Sequence, residues 1–469
     1  MKQKVKKNLT ARIMFAMVAG IVAGILMIVL RENLISSGNG SIWNSINNLL
    51  FADISIEGNE RAVGLFYIVG QIFVRALQLV IIPMVFTSIV LAMVRISDSK
   101  KLGRISTKTL GFFLLTTVCA IIMASIVGMI ALSSGMFTNI QTGLEKGSGQ
   151  SGANPLMLLV NAMPNNMASA FSNNGGVLAI VVTAVAVGLC INKLGDKVTV
   201  FTKLCQEISD IITVFLSFVV NTFGPIAIFC LLTRACASYG ISYLRPAISY
   251  IGLTTLLLLT ILFIGYPLFV KITTGENPIV FFKKISKVAL FGFSTSSSAA
   301  TLPLNMETTT NDLGVKEEIA SFVLPLGMTV NMDGTAVMQV IAAIFIAGCS
   351  GYTMGPSTLL LIGLLAIVAS IGTPAAPGAG AVILFTILSG VGFTNETALV
   401  AYSLILAINR PIEMLVTSLN IVGDAACAMA VAKSEDALDE KVYNSISDEE
   451  TETISTKVPV YAATNLKRK

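Results

Sequence analysis

Residues 401–424 read AYSLILAINRPIEMLVTSLNIVGD, an apolar stretch that carries two carboxylates. Four polar residues follow each other at spacings of four, three and four and form one narrow stripe on a helix: Glu413, Thr417, Asn420 and Asp424. A carboxylate at the centre of a bilayer costs about 2.5–3.5 kcal/mol on insertion scales. Two of them on one stripe predict a compensating cation, an ammonium group, or both, inside the protein.

The composition places this stripe in a polytopic membrane protein. The chain has 469 residues, of which 54% are hydrophobic and only 12% are charged. The apolar run 13–30 follows a basic start, is long enough to span a membrane and has no convincing cleavage site, so we interpret it as a retained first helix. The net charge of +5 fits basic cytoplasmic loops and does not indicate nucleic acid binding.

Two residue types exclude several kinds of chemistry. The chain has no His, which excludes His proton relays, His metal sites and Ser-His or Cys-His catalysis. Its seven Cys are scattered singly without metal-ligand spacing, and we interpret them as small buried residues.

The apolar segments are long in the N-terminal part and broken in the C-terminal part. The long ones lie at about 10–30, 63–94, 106–133, 175–192, 205–238 and 246–272. After residue 272, polar, Gly-rich or Pro-rich patches interrupt the pattern at 294–303, 327–335 and 370–380. Transporters place substrate and ion sites at discontinuous helices of this kind, so we expect the functional part to be C-terminal.

Two segments of similar length, 277–315 and 355–393, resemble the two halves of an inverted repeat. Each precedes a helix that carries Asn and Asp: Asn331 with Asp333, then Asn420 with Asp424.

The distribution of Lys and Arg predicts the orientation. The basic segment 1–9 and the basic loop 97–104 are expected in the cytoplasm, and the polar region 31–62 outside. A transporter domain would span 10–433, and the polar segment 434–469 is interpreted as a disordered cytoplasmic tail. We therefore expect a multi-pass protein of the plasma membrane (the inner membrane of a bacterium) with both termini in the cytoplasm.

Three interrupted patches are candidate sites. The serine-rich segment 294–303 suits a hairpin tip, with helix-packing contacts as the alternative. The sequence Asn331-Met332-Asp333-Gly334-Thr335 disfavours a continuous helix and offers oxygen ligands to a hard cation, with a kink and a hydrogen-bonded Asp as the alternative. The segment 370–380 has two prolines and three glycines and could be a mobile gate or a plain reverse turn.

Together with Asn420 and Gly423-Asp424, these patches resemble the dicarboxylate/amino acid:cation symporters, the glutamate transporter family, over residues 10–433. The resemblance implies an all-α polytopic membrane protein with eight transmembrane helices and two re-entrant helical hairpins, 277–315 and 355–393. It implies a homotrimer in which the first, second, fourth and fifth spanning helices form a scaffold. The third, sixth, seventh and eighth helices, with both hairpins, would slide across the membrane as an elevator, and the second hairpin would be the gate.

The resemblance also implies the site residues. Co-transported Na⁺ would occupy three sites, the first at Gly327, Asn331, Asn420 and Asp424, the second at Thr329, Ser370, Ile371 and Thr373, and the third at Thr116, Thr117, Asn331 and Asp333. Substrate contacts would come from Ser298, Thr335, Ala376, Gly380, Thr417 and Asn420.

Three positions depart from the family pattern. Val416 stands where members with acidic substrates have Arg, Glu413 where amino-acid members have Asp for the ammonium, and Phe113 where a Tyr helps the third site. Burying a second carboxylate beside Val416 would leave an unpaired charge, whereas Glu413 keeps a partner for an ammonium. We therefore expect a sodium-coupled importer of a small neutral amino acid.

Several alternatives stay open. Arg410 lies about one turn from Glu413 and could neutralise it, or serve an acidic substrate, which would make the chain a sodium- or proton-coupled symporter of acidic amino acids or dicarboxylates. An ion channel without coupled transport is a different class. An intramembrane hydrolase using Ser297 or an Asp pair is a third class, disfavoured because no His is present. We therefore predict a transporter, not an enzyme, in contact with membrane lipid.

Overall fold

The regular secondary structure of the part of the chain described by the computed structural model is helical. That part comprises residues 2–55, 58–96, 103–137, 160, 163–172, 177–239, 244–371, 373 and 378–445. Within it there is no β-strand, only one isolated antiparallel bridge between Val315 and Leu438. The prediction of an all-α protein is confirmed to this extent.

The helices of the N-terminal half are α1 (Lys2–Ser36), α2 (Gly40–Leu50), α3 (Leu65–Leu79), α4 (Ile81–Ile96), α5 (Gly103–Ser133), α6 (Met167–Phe171), α7 (Val177–Leu194), α8 (Thr199–Phe218), α9 (Gly224–Tyr239), α10 (Leu244–Thr260) and α11 (Tyr266–Thr274). A π-helical turn, Val219–Phe223, joins α8 to α9, and another, Ile261–Gly265, joins α10 to α11.

The helices of the C-terminal half are α12 (Pro278–Thr295), α13 (Ser298–Asn311), α14 (Glu317–Val330), α15 (Asp333–Ser350), α16 (Pro356–Ile371), α17 (Ala379–Val391), α18 (Glu396–Ile408), α19 (Arg410–Ser434) and α20 (Glu440–Asn444).

By length and composition, seven helical stretches of the described residues could cross a membrane. Four further apolar helices of the described residues are shorter, among them Ala179–Leu194 within α7. A multi-pass membrane protein is therefore supported, and the count of eight spanning helices stays a prediction.

Helices α12 and α13 pack against each other as a helix–turn–helix pair over the first predicted hairpin segment. Asn277 caps the start of α12, where its side chain accepts from the Ile279 N–H, and Pro278 fits the first turn. The tip reverses at Ser296, which has a φ of +50°, and the Ser297 side chain caps α13 by accepting from the Ala300 N–H. Local capping chemistry therefore places the turn at the serine-rich patch.

Helices α16 and α17 form a second such pair over the other predicted segment. The first helix ends at Ile371, and the second begins after Gly378, whose φ of +87° is a conformation that favours glycine. Residues 372 and 374–377, in the middle of the predicted gate, lie outside the described residues.

The helices pack as two groups of neighbours that also contact each other, since α9 of the first group packs against α18 of the second. In one, α9 packs against α1 and α3, while α4 packs against α7 and α8. In the other, α15 is surrounded by α5, α10, α16, α18 and α19, and every residue of α15 except Gly348 is buried. Both α12 and α13 also pack along α19. The interrupted C-terminal segments therefore form the inside of the second group.

The interpretation of 434–469 as a disordered tail needs a correction for its first part. Helix α20 lies there, and Tyr443 is completely buried, with its hydroxyl donating to the Asn277 carbonyl at 2.8 Å. The Lys316 N–H donates to the Ala437 carbonyl, which joins this segment to the loop after α13. The composition of this segment suggested disorder because it is polar. The buried Tyr443 ring and the backbone hydrogen bonds instead attach it to the rest of the fold. Residues 446–469 lie outside the described residues, as does most of the basic loop 97–104.

Candidate functional site

The carboxylate of Asp333 lies in the interior at the start of α15. The helix ends at Val330 and resumes at Asp333, so Asn331 and Met332 form the break that the sequence indicated. Thr117 of α5 donates its hydroxyl to Asp333 Oδ1 at 2.5 Å. Tyr266 of α11 donates to Asp333 Oδ2 at 2.8 Å. Asp333 is 1% exposed, so both of its oxygens are held by hydroxyl groups away from solvent.

Asn331 connects this carboxylate region to Asp424. Its Nδ2 donates to Asp424 Oδ1 at 3.1 Å, and its Oδ1 accepts from Thr116 Oγ1 at 3.3 Å. Asp424 packs directly against Gly327, where any Cβ would overlap the carboxylate. The structure therefore brings together all members of the predicted third sodium set and three of the four in the first set.

No ion pair with Lys or Arg reaches Asp333 or Asp424 anywhere in the described part of the chain. Burying an unpaired carboxylate is strongly unfavourable. Oxygen atoms from carboxylate, hydroxyl and amide groups suit a hard monovalent cation. The chemistry of this cluster therefore fits a cation that arrives from solution.

Phe113, which lies one turn before Thr116 on α5, is buried in the same cluster. Its ring end would lie 3.1 Å from a Cβ at Gly327. It supplies bulk there and no hydroxyl.

The predicted second sodium set is not gathered in the same way. The hydroxyls of Thr329, Ser370 and Thr373 donate to carbonyls of their own segments, at Leu326, Ile367 and Ala369. Helix α14 does pack against α16, which carries Ser370 and Ile371. Among the described residues, however, no hydrogen bond joins Thr329 to the other members.

The predicted substrate residues are partly assembled around Asn420. Asn420 Nδ2 donates to Thr335 Oγ1 at 3.2 Å, and Asn420 Oδ1 accepts from the Gly334 N–H at 2.8 Å. A Cβ at Gly380 would lie 3.1 Å from Thr335 Cγ2, so the start of α17 approaches the start of α15 closely. Asn420 of α19, Thr335 of α15 and Gly380 of α17 therefore share one small region next to the carboxylates.

The other predicted substrate residues are placed less directly. Ser298 is buried at the start of α13, and this hairpin is attached to α19 by Ser418 Oγ donating to the Ala289 carbonyl at 2.9 Å. The Thr417 hydroxyl donates to the Glu413 carbonyl of its own helix at 2.9 Å. No described contact joins Ser298 or Thr417 to Thr335. Ala376 lies outside the described residues.

Glu413 has a charged neighbour in its own helix. Arg410 Nη1 lies 3.6 Å from Glu413 Oε2, and both side chains are about nine-tenths buried. Within the described residues, Arg410 Nε, Arg410 Nη1 and Glu413 Oε1 have no hydrogen-bond partner. They face a small cavity of about 30 Å³ that Asn409 and Gly378 also line. The pair neutralises charge, as the sequence allowed, while keeping donors and an acceptor available.

Val416, three residues after Glu413, is 6% exposed. Its spacing of three residues from Glu413 and four from Asn420 places it on the same face of α19, where it adds no charge.

Two residues at this site were missed by sequence reasoning. Tyr266 contacts Asp333 from α11, and Gln339 Nε2 donates to the Gly380 carbonyl at 3.0 Å. Gln339 was a detectable signal, since it is a polar residue one turn after Thr335 in an otherwise apolar helix. Tyr266 had no such signal, because aromatic residues are common in apolar segments.

Comparison with known proteins agrees with this arrangement. A model of the sodium:dicarboxylate symporter family matches residues 9–434. The proton/sodium-glutamate symport protein of Geobacillus stearothermophilus is 27% identical over 391 residues, covering 82% of this chain and 91% of that protein. The proton/glutamate-aspartate symporter of Escherichia coli (strain K12) is 26% identical over 455 residues, covering 94% and 95%.

An excitatory amino acid transporter of Caenorhabditis elegans is 27% identical over 402 residues, covering 76% of this chain and 78% of that protein. These relatives are transporters and not enzymes, as the sequence predicted for this chain. With a family match over most of its length, an interior built from interrupted helices and a buried carboxylate cluster, the chain belongs to the sodium:dicarboxylate symporter family.

Proposed function

We propose that this protein is a sodium-coupled symporter that imports an acidic amino acid. The observation that carries the coupling is the buried pair of carboxylates, Asp333 and Asp424, neither of which has a Lys or Arg partner in the described part of the chain. A cation bound there offsets charge that the protein leaves uncompensated. The substrate region around Thr335 and Asn420 lies next to this cluster. A bound cation can therefore increase the affinity for the substrate, and a bound substrate the affinity for the cation.

The name of the family and that of one relative support sodium as the coupling ion, whereas the Escherichia coli relative is named for the proton alone. The family is named for sodium, and the Geobacillus relative for both sodium and proton coupling. A proton would need only one carboxylate, whereas this cluster gathers several oxygen ligands from three helices. The oxygen-rich arrangement therefore favours sodium over a proton.

The acidic substrate was the alternative in our sequence interpretation and is now preferred. Relatives from bacteria and from a nematode are named for glutamate, aspartate or excitatory amino acids. Arg410 adds a buried guanidinium with two nitrogens lacking hydrogen-bond partners among the described residues. A neutral amino acid remains the second candidate, because Val416 supplies no charge beside Asn420.

The transport route belongs to the same proposal. The packing group around α9 and α4 would be the scaffold of a homotrimer, and the group around α15 would be the moving part. The second hairpin would be the gate, since Gly380, near the start of its second helix, lies close to Thr335 in the substrate region.

The test is uptake of labelled aspartate, glutamate, alanine and serine into proteoliposomes under a sodium gradient, a proton gradient or neither. We expect concentrative uptake of an acidic amino acid that is abolished when the sodium gradient is collapsed. Preference for alanine or serine would move the assignment to the neutral candidate. Ion flux without concentrative uptake of any amino acid would contradict a symporter.

A further inference from the structure

Tyr266 belongs to the cluster of polar residues around Asp333 and Asp424. Neither the sequence nor the family resemblance assigned it a role. Its hydroxyl donates to Asp333 Oδ2 at 2.8 Å, and its side chain is 2% exposed. Thr117 holds the other oxygen, Oδ1, at 2.5 Å. Tyr266 and Thr117 therefore hold the two oxygens of the Asp333 carboxylate from two different helices.

The backbone before Tyr266 is adapted to this contact. The π-helical turn Ile261–Gly265 ends immediately before it. A π-helical turn inserts one extra residue into a helix, which rotates every later side chain by about 100°, and such turns are frequent at functional sites. In a continuous α-helix, the residue now at 266 would point in a different direction.

Helix α19, which packs against the Tyr266 ring, leaves room for it at Gly423. A Cβ at Gly423 would overlap the Tyr266 hydroxyl and would lie 2.6 Å from its ring Cζ. Gly423 directly precedes Asp424 in α19. The absence of a side chain beside one carboxylate thus admits the phenol that reaches the other.

A third observation is that the other aromatic residue at this cluster, Phe113, cannot donate a hydrogen bond from its side chain. On α5, Phe113 lies three and four residues before Thr116 and Thr117, where a tyrosine could have presented a hydroxyl to the same cluster. Phe113 has none. In the described residues, Tyr266 is the one aromatic hydroxyl bonded to Asp333 or Asp424.

We propose that Tyr266 is a positioning residue for the cation site at Asp333, held in place by the π-helical turn and by the space at Gly423. The proposal rests on the proposed sodium coupling. Tyr266 does not itself need to bind the ion. By occupying Oδ2, it presents Oδ1 together with the Thr117, Thr116 and Asn331 oxygens in one fixed arrangement. Residues that orient an ion ligand in this way typically change ion affinity about 10–100-fold when altered.

The experiment compares Tyr266→Phe with the parent in proteoliposomes. We expect the sodium concentration for half-maximal uptake to rise about tenfold or more, because the carboxylate loses its orienting donor. Uptake at saturating sodium, and the substrate concentration for half-maximal uptake there, should stay within about twofold of the parent. A merely structural role would lower the amount of folded protein without separating these two quantities.

The matched control is Tyr402→Phe. Tyr402 is also completely buried, but its hydroxyl donates to a backbone carbonyl, that of Val382, at 3.2 Å. This variant should keep the parental sodium dependence. An equal shift in both tyrosine variants would overturn the proposal, as would an unchanged sodium dependence in Tyr266→Phe.

A second variant addresses the same contact from the other side. Gly423→Ala should displace Tyr266 and give a similar sodium shift, and the double variant with Tyr266→Phe should show no larger shift than either single change. Additive sodium shifts would overturn the proposed link between the two residues. If Asp333→Asn abolishes sodium dependence while Tyr266→Phe leaves it intact, the positioning role fails and the symporter proposal stands. A parent that shows no sodium dependence would overturn both.

Discussion

Asn331 and Asp424, 93 residues apart in the sequence, are joined by a hydrogen bond of 3.1 Å in the interior. The amide also accepts from Thr116 on α5. The Asn331 side chain thus joins the break between α14 and α15 to both α5 and α19. Changes at this point should affect ion binding before they affect the fold.

Asp424→Asn should weaken sodium binding by more than about 100-fold, since even outer-shell changes cost about 10–100-fold. The replacement has nearly the same shape, so folding should be retained. Sodium-dependent shifts in the thermal unfolding temperature of purified protein measure the affinity. Asp312→Asn, which alters a carboxylate paired with Lys287 at 2.8 Å near the end of the first hairpin, is the control. Unaltered sodium affinity in Asp424→Asn would reject the ion site.

Removing one charge of the Arg410–Glu413 pair should destabilise the protein more than removing both charges. Arg410→Met leaves the Glu413 carboxylate buried without its neighbour, which typically costs about 3–5 kcal/mol. The double variant Arg410→Met/Glu413→Gln removes both charges and should recover most of that stability. Unfolding in detergent measures both. Equal destabilisation by the single and double variants would show that charge pairing is not what the two residues contribute.

Val416→Arg should shift selectivity toward acidic substrates. The new guanidinium could pair bidentately with a side-chain carboxylate, and it would be an unpaired buried charge with a neutral substrate. We expect the ratio of aspartate to serine uptake to rise at least about tenfold in competition assays. Val416→Met adds length without charge and should leave the ratio near that of the parent. An unchanged ratio in the Arg variant would place the substrate side chain away from residue 416.

The tip of the second hairpin should close when both ligands are bound. Ala379 is completely buried in the structure, so a single cysteine there, in a background without the native cysteines, should react with a polar reagent only when the hairpin opens. We expect that reaction to be at least about tenfold slower when sodium and substrate are both present. The reason is that the site must be covered before it crosses the apolar interior. The control is a single cysteine at the native position 190, which is exposed, as is Cys119, so the interpretation of all seven Cys as buried was wrong for these two. Equal labelling in every ligand state would contradict a gate here.

The segment after α19 should stabilise the base of the first hairpin. Lys284 of α12 donates to the carbonyls of Asp312, Val442 and Tyr443 at 2.8–3.0 Å. Tyr443→Ala removes a completely buried ring and should lower the free energy of unfolding by on the order of 3 kcal/mol. Truncation after residue 445 keeps these contacts and serves as the control. If truncation after residue 434 were as stable as truncation after 445, the segment would not support the hairpin.

The sequence by itself determined the membrane class, the interrupted C-terminal helices and the two carboxylates, Asp333 and Asp424, of the cluster. Composition and hydropathy suffice for the first, because a long apolar segment must satisfy its backbone as a helix. Polar and Gly-rich patches suffice for the second, because they are too costly in lipid unless they line a site. Asp333 and Asp424 stood out for the same reason, as charges in apolar helices.

Only the tertiary structure decided which of these residues meet and what else reaches them. Tyr266 contacts Asp333 across 67 residues because a π-helical turn redirects it and Gly423 leaves room, neither of which a local pattern reveals. Likewise, the polar segment at 434–445 is held in place because the Tyr443 ring is buried and Lys284 donates to three backbone carbonyls, two of them in this segment. Hydropathy registers the cost of a residue in lipid, whereas these contacts depend on long-range packing between helices that are distant in sequence.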